Sequence, residues 1–150
     1  MLPTGCSGHT PAAGGAPAVE PGGGGGAAAD GKVSGAPRAD YAAAAAAVLT
    51  TDGHAGRVYE LGGDEALTGA DIAAVLAEVT GQPVRYENLT EADYAAVLGQ
   101  AGLPEPVAAA LADADSGIAE GLLEVRTGDL AKLIGRPVTS PAEAFRAILG

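Results

Sequence analysis

From Thr68 onward, apolar positions recur at helical spacing between recognisable start and stop signals. Thr68 stands three residues before Asp71, an acidic form of the capping box. Ile72, Val75, Leu76 and Val79 follow at i, i+3, i+4 and i+7, and Gly81 stops the helix. The grammar repeats: Thr90 and Asp93 cap a helix with Tyr94, Val97, Leu98 and Ala101 on one face, ended by Gly102. Pro104 opens another, whose Val107, Leu111, Ala114 and Ile118 align. Thr127 caps a short helix carrying Leu130, Leu133 and Ile134 up to Gly135. Ser140-Pro141-Ala142-Glu143 is a full capping box with proline at its permitted first position, and Phe145, Ile148 and Leu149 form the expected buried side.

Upstream, Asp40-Tyr41 and the run Ala42 to Leu49 form a strong helix former, ended by Thr51-Asp52-Gly53. Its side chains are small on every face, which predicts a close-packed neighbour. Two stretches alternate like strands: Arg57 to Leu61, closed by Gly62-Gly63, and Pro83 to Leu89. The fold class expected is therefore α/β, helix-rich, with two short strands.

Composition divides the chain. Of all Leu, Ile, Val and Phe residues, residues 1–37 hold only Leu2, Val19 and Val33, and Gly22 to Gly26 is an unbroken glycine run. Ordering such a segment costs backbone entropy with few side chains to bury in return, so 1–37 is expected to be a disordered, linker-like segment and 38–150 the folded domain. The 47% hydrophobic content overstates the core, because much of it is alanine.

A net charge of −11 with scattered Lys and Arg argues against a nucleic-acid partner and an anionic membrane surface. The single Cys6 forbids an intrachain disulfide, and no signal-peptide or membrane-spanning pattern is visible. Cytoplasmic localisation is expected.

Candidate chemistry is sparse. Gly22, Gly24 and Ala27 formally satisfy G-x-G-x-x-A, but a dinucleotide fingerprint needs a strand before it and a helix after it; Glu20-Pro21 and Ala27 to Gly31 supply neither. Cys6 and His9 have C-x-x-H spacing, yet a closed zinc site needs four ligands and the other histidine, His54, sits in a turn. Tyr41, Tyr59, Tyr86 and Tyr94 are followed four residues later by Ala45, Gly63, Thr90 and Leu98, so no Tyr-x-x-x-Lys pair exists to lower a tyrosine's pKa. Asp113, Asp115 and Glu120 match no calcium loop and are expected on a solvated helix face. No catalytic, cofactor-binding or metal-binding residue is assigned.

Four segments resemble the carboxy-terminal part of NmrA-like proteins, especially the NAD(P)H:quinone oxidoreductase type 2 group. They are Arg38 to Ala42; Gly56 to Gly62 (GRVYELG); Leu67 to Leu98, with its PVRYENL strand; and Leu133 to Pro137 before the last helix. Ala29 to Ser34 resembles the loop the family places just before this region. The resemblance implies an atypical short-chain dehydrogenase, in which an amino-terminal Rossmann half holds NADPH and a smaller carboxy-terminal part closes over the substrate. Members of the quinone group reduce quinones, while other NmrA-like proteins bind the nucleotide as regulators. The family's glycine motif and phosphate-binding arginine lie in the amino-terminal half, and no position here matches them.

The resulting expectation is a truncated or split quinone oxidoreductase whose Rossmann nucleotide half is missing. It would be inactive and bind no cofactor alone, with NADPH the cofactor of the intact member. The alternative is a non-catalytic nucleotide-sensing regulator or interaction module. An unpaired strand edge at Arg57–Leu61 would invite a Rossmann half or a second copy of the chain.

Overall fold

The computed structural model describes residues 24–149. Expectations for 1–23, including Cys6, His9 and Gly22, lie outside the described residues. Strand β1 (Gly24–Gly26) precedes helix α1 (Arg38–Thr50), α2 (Gly69–Thr80) and strand β2 (Tyr86–Asn88). Helices α3 (Glu91–Gln100), α4 (Glu105–Ala119), α5 (Asp129–Ile134) and α6 (Pro141–Leu149) complete the order. The two strands pair in parallel, Gly24 with Tyr86 through Gly26 with Asn88. Around this ribbon the helices pack as α3 on α4, α1 on α5 and α2 on α6.

The helix boundaries follow the caps. Thr68 closes a reciprocal capping box with Asp71, and Gly81 ends α2 at φ +66°, a conformation that glycine adopts without a Cβ penalty. Thr90 caps α3 by accepting from the Asp93 N–H, and Ser140 and Glu143 exchange the same pair of bonds at α6. Thr127 does not start α5 in helical register. Gly128 is the N-cap residue, while Thr127 Oγ1 accepts from the Asp129 N–H and donates to the Glu60 carbonyl.

Two small apolar clusters form the core. Ala44, Leu130 and Val138 are buried together with Leu61 and Tyr41 beside them; Ala73, Leu76 and Val84 are buried with Ile72, Tyr86 and Phe145 against them.

The expected disorder across residues 1–37 fails from Gly24 onward. Composition counts the side chains a segment brings, not those that neighbours lay upon it. A Cβ on Gly25 would lie 3.0 Å from Leu89 Cδ1, and one on Gly26 would lie 2.9 Å from Tyr86 Oη, so the glycine faces are covered by residues from β2 and just after it. Val33 then bridges Leu67 antiparallel, and Ser34, buried, donates its N–H to Leu123 and accepts from Gly63. The glycine run from Gly24 is a strand and not a linker.

Four further expectations are corrected. Arg57 to Leu61 is not a strand among the described residues: Tyr59 and Leu61 are half-buried and Val58 and Glu60 exposed, as alternation requires, but no partner strand pairs with them. The strand expected over Pro83–Leu89 contracts to Tyr86–Asn88, the length β1 can pair. The inward faces of α3 and α4 are rotated from those expected: α4 buries Ala108 and Ala112 while Val107 and Leu111 stay exposed, and α3 turns Tyr94, Ala95 and Leu98 inward with Val97 out. Alanine on the inner face lets these two helices approach closely, an advantage that counting large apolar residues overlooks. On α6, Phe145 packs inward but Ile148 and Leu149 are exposed.

Candidate functional site

The ends of β1 and β2 carry a compact polar arrangement. Immediately after β1, three successive backbone N–H groups are each taken by a side chain. Ala27 donates to Asp115 Oδ2 at 2.9 Å, Ala28 to Tyr86 Oη at 3.3 Å and Ala29 to Asn88 Oδ1 at 2.8 Å. Tyr86 and Asn88 come from β2, and Asp115 comes from the middle of α4, so strand pairing and helix packing together build the clasp. Asp115 is therefore half-buried and tied to the backbone rather than solvated; Asp113 and Glu120 are exposed as expected.

Burial raises the Tyr86 phenol above its ordinary pKa, opposed by the Ala28 N–H bond and assisted by the Asp115 charge. Tyr94 on α3 is also raised, first by burial and then by Asp115 and Tyr86. Both rings are thus held as neutral phenols near neutrality. That suits hydrogen bonding and packing and not the abstraction of a proton.

After the clasp, Ala29 takes φ +47°, and Gly31 presses against the end of α4, where an added Cβ would fall 2.1 Å from the Ile118 carbonyl oxygen. An open hollow of about 360 Å³ lies between this turn and the residues Ala119 to Glu124. A second, more apolar groove of about 510 Å³ runs between α3 and α4 over Ala95, Gly99, Leu103 and Ala108.

His54 also makes a chain of bonds. Its Nε2 lies 2.7 Å from Thr51 Oγ1 and its Nδ1 2.7 Å from Tyr59 Oη. Thr51 Oγ1 donates its one proton to the Ala47 carbonyl, so His54 Nε2 must be the donor to it and Nδ1 the acceptor from Tyr59. The threonine hydroxyl is spent on a carbonyl and is no activated nucleophile. The chain fastens the turn after α1. No group of three His, Cys, Asp or Glu residues able to hold a metal occurs among the described residues, and none of their helices is long and apolar enough to cross a membrane.

No family model matches the chain. Quinone oxidoreductase 2 of Escherichia coli, however, is 49% identical to it over 127 residues, covering 85% of this chain and 44% of the relative. This chain is a homologue of part of that quinone oxidoreductase. The likeness covers the carboxy-terminal part of that relative. The crystal structure of the NADPH-dependent quinone oxidoreductase from Escherichia coli superposes with a TM-score of 0.82 over 86% of this chain and 47% of that one. Its complex with NADPH gives 0.81 over 84% and 44%. An NAD(P)H azoreductase of Xenophilus azovorans is 34% identical over 128 residues, covering 85% of this chain and 45% of the relative. The chain thus spans under half the length of the quinone oxidoreductases and reductases it matches.

Nothing in the sequence marks Asn88 and Asp115 as partners of one turn. The bond from Ala27 to Asp115 joins positions 88 apart, and nothing local marks such a pair. Tyr86 and Asn88 carry a signal only in that both lie within the PVRYENL segment.

Proposed function

We propose that this chain supplies the substrate-side part of an NAD(P)H-dependent quinone reductase and works only together with a nucleotide-binding half. The observation that carries this reading is the 49% identity joined to a TM-score of 0.82 with the Escherichia coli quinone oxidoreductase. In such a reaction the nicotinamide supplies a hydride and a proton completes reduction of the quinone to a hydroquinone. This chain's part would be to position and enclose the substrate.

The described residues do not fit the dinucleotide themselves. The formal glycine motif enters a strand at Gly24, but the N–H groups that follow are already bound by Asp115, Tyr86 and Asn88. No helix opens there; the next begins at Arg38. A pyrophosphate at this turn would displace a carboxylate from its donor and meet its charge.

Calorimetry with NADPH should show no binding to the 150-residue chain, and the same titration of a chimera carrying the amino-terminal part of the Escherichia coli enzyme should show it. That chimera should then oxidise NADPH with a simple benzoquinone as acceptor. Low-micromolar binding by the chain alone would overturn the proposal. A folded chimera that binds NADPH but reduces no quinone would point to a nucleotide-sensing regulator instead.

A further inference from the structure

Strands β1 and β2 run in parallel and end together at Gly26 and Asn88. Parallel α/β sheets take ligands in the crevice outside the carboxyl ends of their strands, and the clasp of Asp115, Tyr86 and Asn88 lies at those ends. The clasp leaves part of its bonding capacity unspent. Tyr86 Oη accepts from the Ala28 N–H, but its own proton has no acceptor among the described residues. Asp115 Oδ2 accepts from the Ala27 N–H, and Oδ1 is left over. Every buried side-chain oxygen among the described residues has a partner, so the unpaired Tyr94 hydroxyl and Asp115 Oδ1 both reach solvent.

The charge of Asp115 is unspent as well. The ion pairs among the described residues join Arg126, Lys132, Arg136 and Arg146 to other carboxylates, and none reaches Asp115. A Cβ on Gly26 would lie 2.9 Å from Tyr86 Oη and 3.0 Å from Asp115 Oδ2, so phenol and carboxylate share one wall. The Asp115 field also reaches Tyr94, whose phenol it helps to raise.

We infer that this crevice takes uncharged, carbonyl-bearing acceptors and rejects anionic ones, with Asp115 the residue that discriminates. The phenol protons donate to a carbonyl oxygen, while an acceptor carrying a carboxylate brings a second negative charge up to an unpaired one. At about 6 Å in the half-shielded setting of a protein surface, that repulsion corresponds to roughly tenfold in affinity. The inference rests on the reading of the chain as the substrate-side part of a quinone reductase, and it names the residue that sets which quinones enter.

A matched pair of acceptors tests it: a trimethylbenzoquinone bearing a propionate side chain, and the methyl ester of the same molecule. Dissociation constants are measured by calorimetry on the chimera saturated with NADP+, where no turnover occurs. The ester should bind roughly tenfold more tightly than the acid, and Asp115→Asn should bring the two within about twofold. The asparagine amide oxygen can still accept the Ala27 N–H, so the clasp survives the loss of charge. Asp113→Asn changes the net charge by the same amount from an exposed position on the same helix and should leave the preference intact. A preference that survives Asp115→Asn, or that Asp113→Asn abolishes equally, overturns the inference, and so does binding of neither acceptor.

Tyr94→Phe should weaken acid and ester alike by about threefold or more, and unchanged binding of both overturns the carbonyl assignment. The parent chimera supplies an arm that no folding defect can spoil. Raising the salt concentration should strengthen the acid and leave the ester unchanged, and an acid that responds no more than the ester overturns the inference. Selective binding by a chimera that reduces neither acceptor supports the discrimination by charge and removes only the reductase reading.

Discussion

Arg136 donates a 2.5 Å hydrogen bond to Asp40, a carboxylate only 1% exposed, across 96 positions of sequence. The second Asp40 oxygen accepts from the Thr139 N–H at 2.8 Å. These bonds lock α1 to the chain that follows α5. Burial alone would raise the Asp40 pKa, but the bonds from Arg136 and Thr139 outweigh it and the net shift is downward. A lowered carboxylate contributes stability above its unfolded value of about 3.9 and loses it as pH falls through the folded value. Urea unfolding followed across pH should therefore show a declining midpoint below roughly pH 4 that is shallower in Asp40→Asn. Arg136→Met should cost on the order of 2–3 kcal/mol at neutral pH, less than a fully buried pair because Arg136 is 49% exposed. An unchanged midpoint in Arg136→Met would refute the lock.

Gly31 and Gly99 should respond oppositely to alanine. At Gly31 the new Cβ meets the Ile118 carbonyl oxygen at 2.1 Å, backbone that cannot step aside without moving α4. Gly31→Ala should cost about 1–3 kcal/mol or more. Gly99 lies inside α3 with nothing within 4 Å of the added atom, so Gly99→Ala should stabilise by up to about 1 kcal/mol. Denaturant midpoints of the two variants decide the matter.

Ala29 is the single described non-glycine residue at positive φ. Replacing it with glycine removes the Cβ penalty of the left-handed region, partly offset by the freer unfolded chain. Ala29→Gly should leave stability equal or raise it by up to about 1 kcal/mol. A clear loss on thermal melting would contradict the strain.

Asp115 is expected to act on the backbone and on two phenols at once. Asp115→Asn should speed amide exchange at Ala27 and lower the pKa of both Tyr86 and Tyr94, seen as tyrosinate absorbance rising at lower pH. Because the folded phenols titrate above their unfolded value of about 10, the parent should lose stability as pH climbs past that point, and the variant should lose less. Tyrosine titrations identical in the two proteins would exclude the electrostatic link.

Local chemistry was legible where it is written within four residues. The boxes at Thr68–Asp71 and Ser140–Glu143 and the stop at Gly81 all stand where the sequence put them. What depended on distant neighbours was not legible. Gly24 to Gly26 looked like slack because Tyr86 and Leu89, which cover it, lie some sixty residues on. The inner faces of α3 and α4 were misjudged because alanine marks a close approach only once its partner is known. The likeness to quinone oxidoreductases rested on four ordered segments, and the comparisons support it, yet the clasp of Asn88 and Asp115 lay beyond any local pattern.

The helix pairings also set an order in time. Helix α3 finds its mate α4 after a short loop, but α1 must wait for α5 and α2 for α6, which are made much later. During synthesis, then, only the α3–α4 hairpin and the small parallel ribbon can assemble early, while α1 and α2 remain without their long-range supports. A ribosome stalled anywhere before Leu130 would hold an α1 without α5 and an α2 without α6, so residues 130–149 act as the latch for α1 and α2.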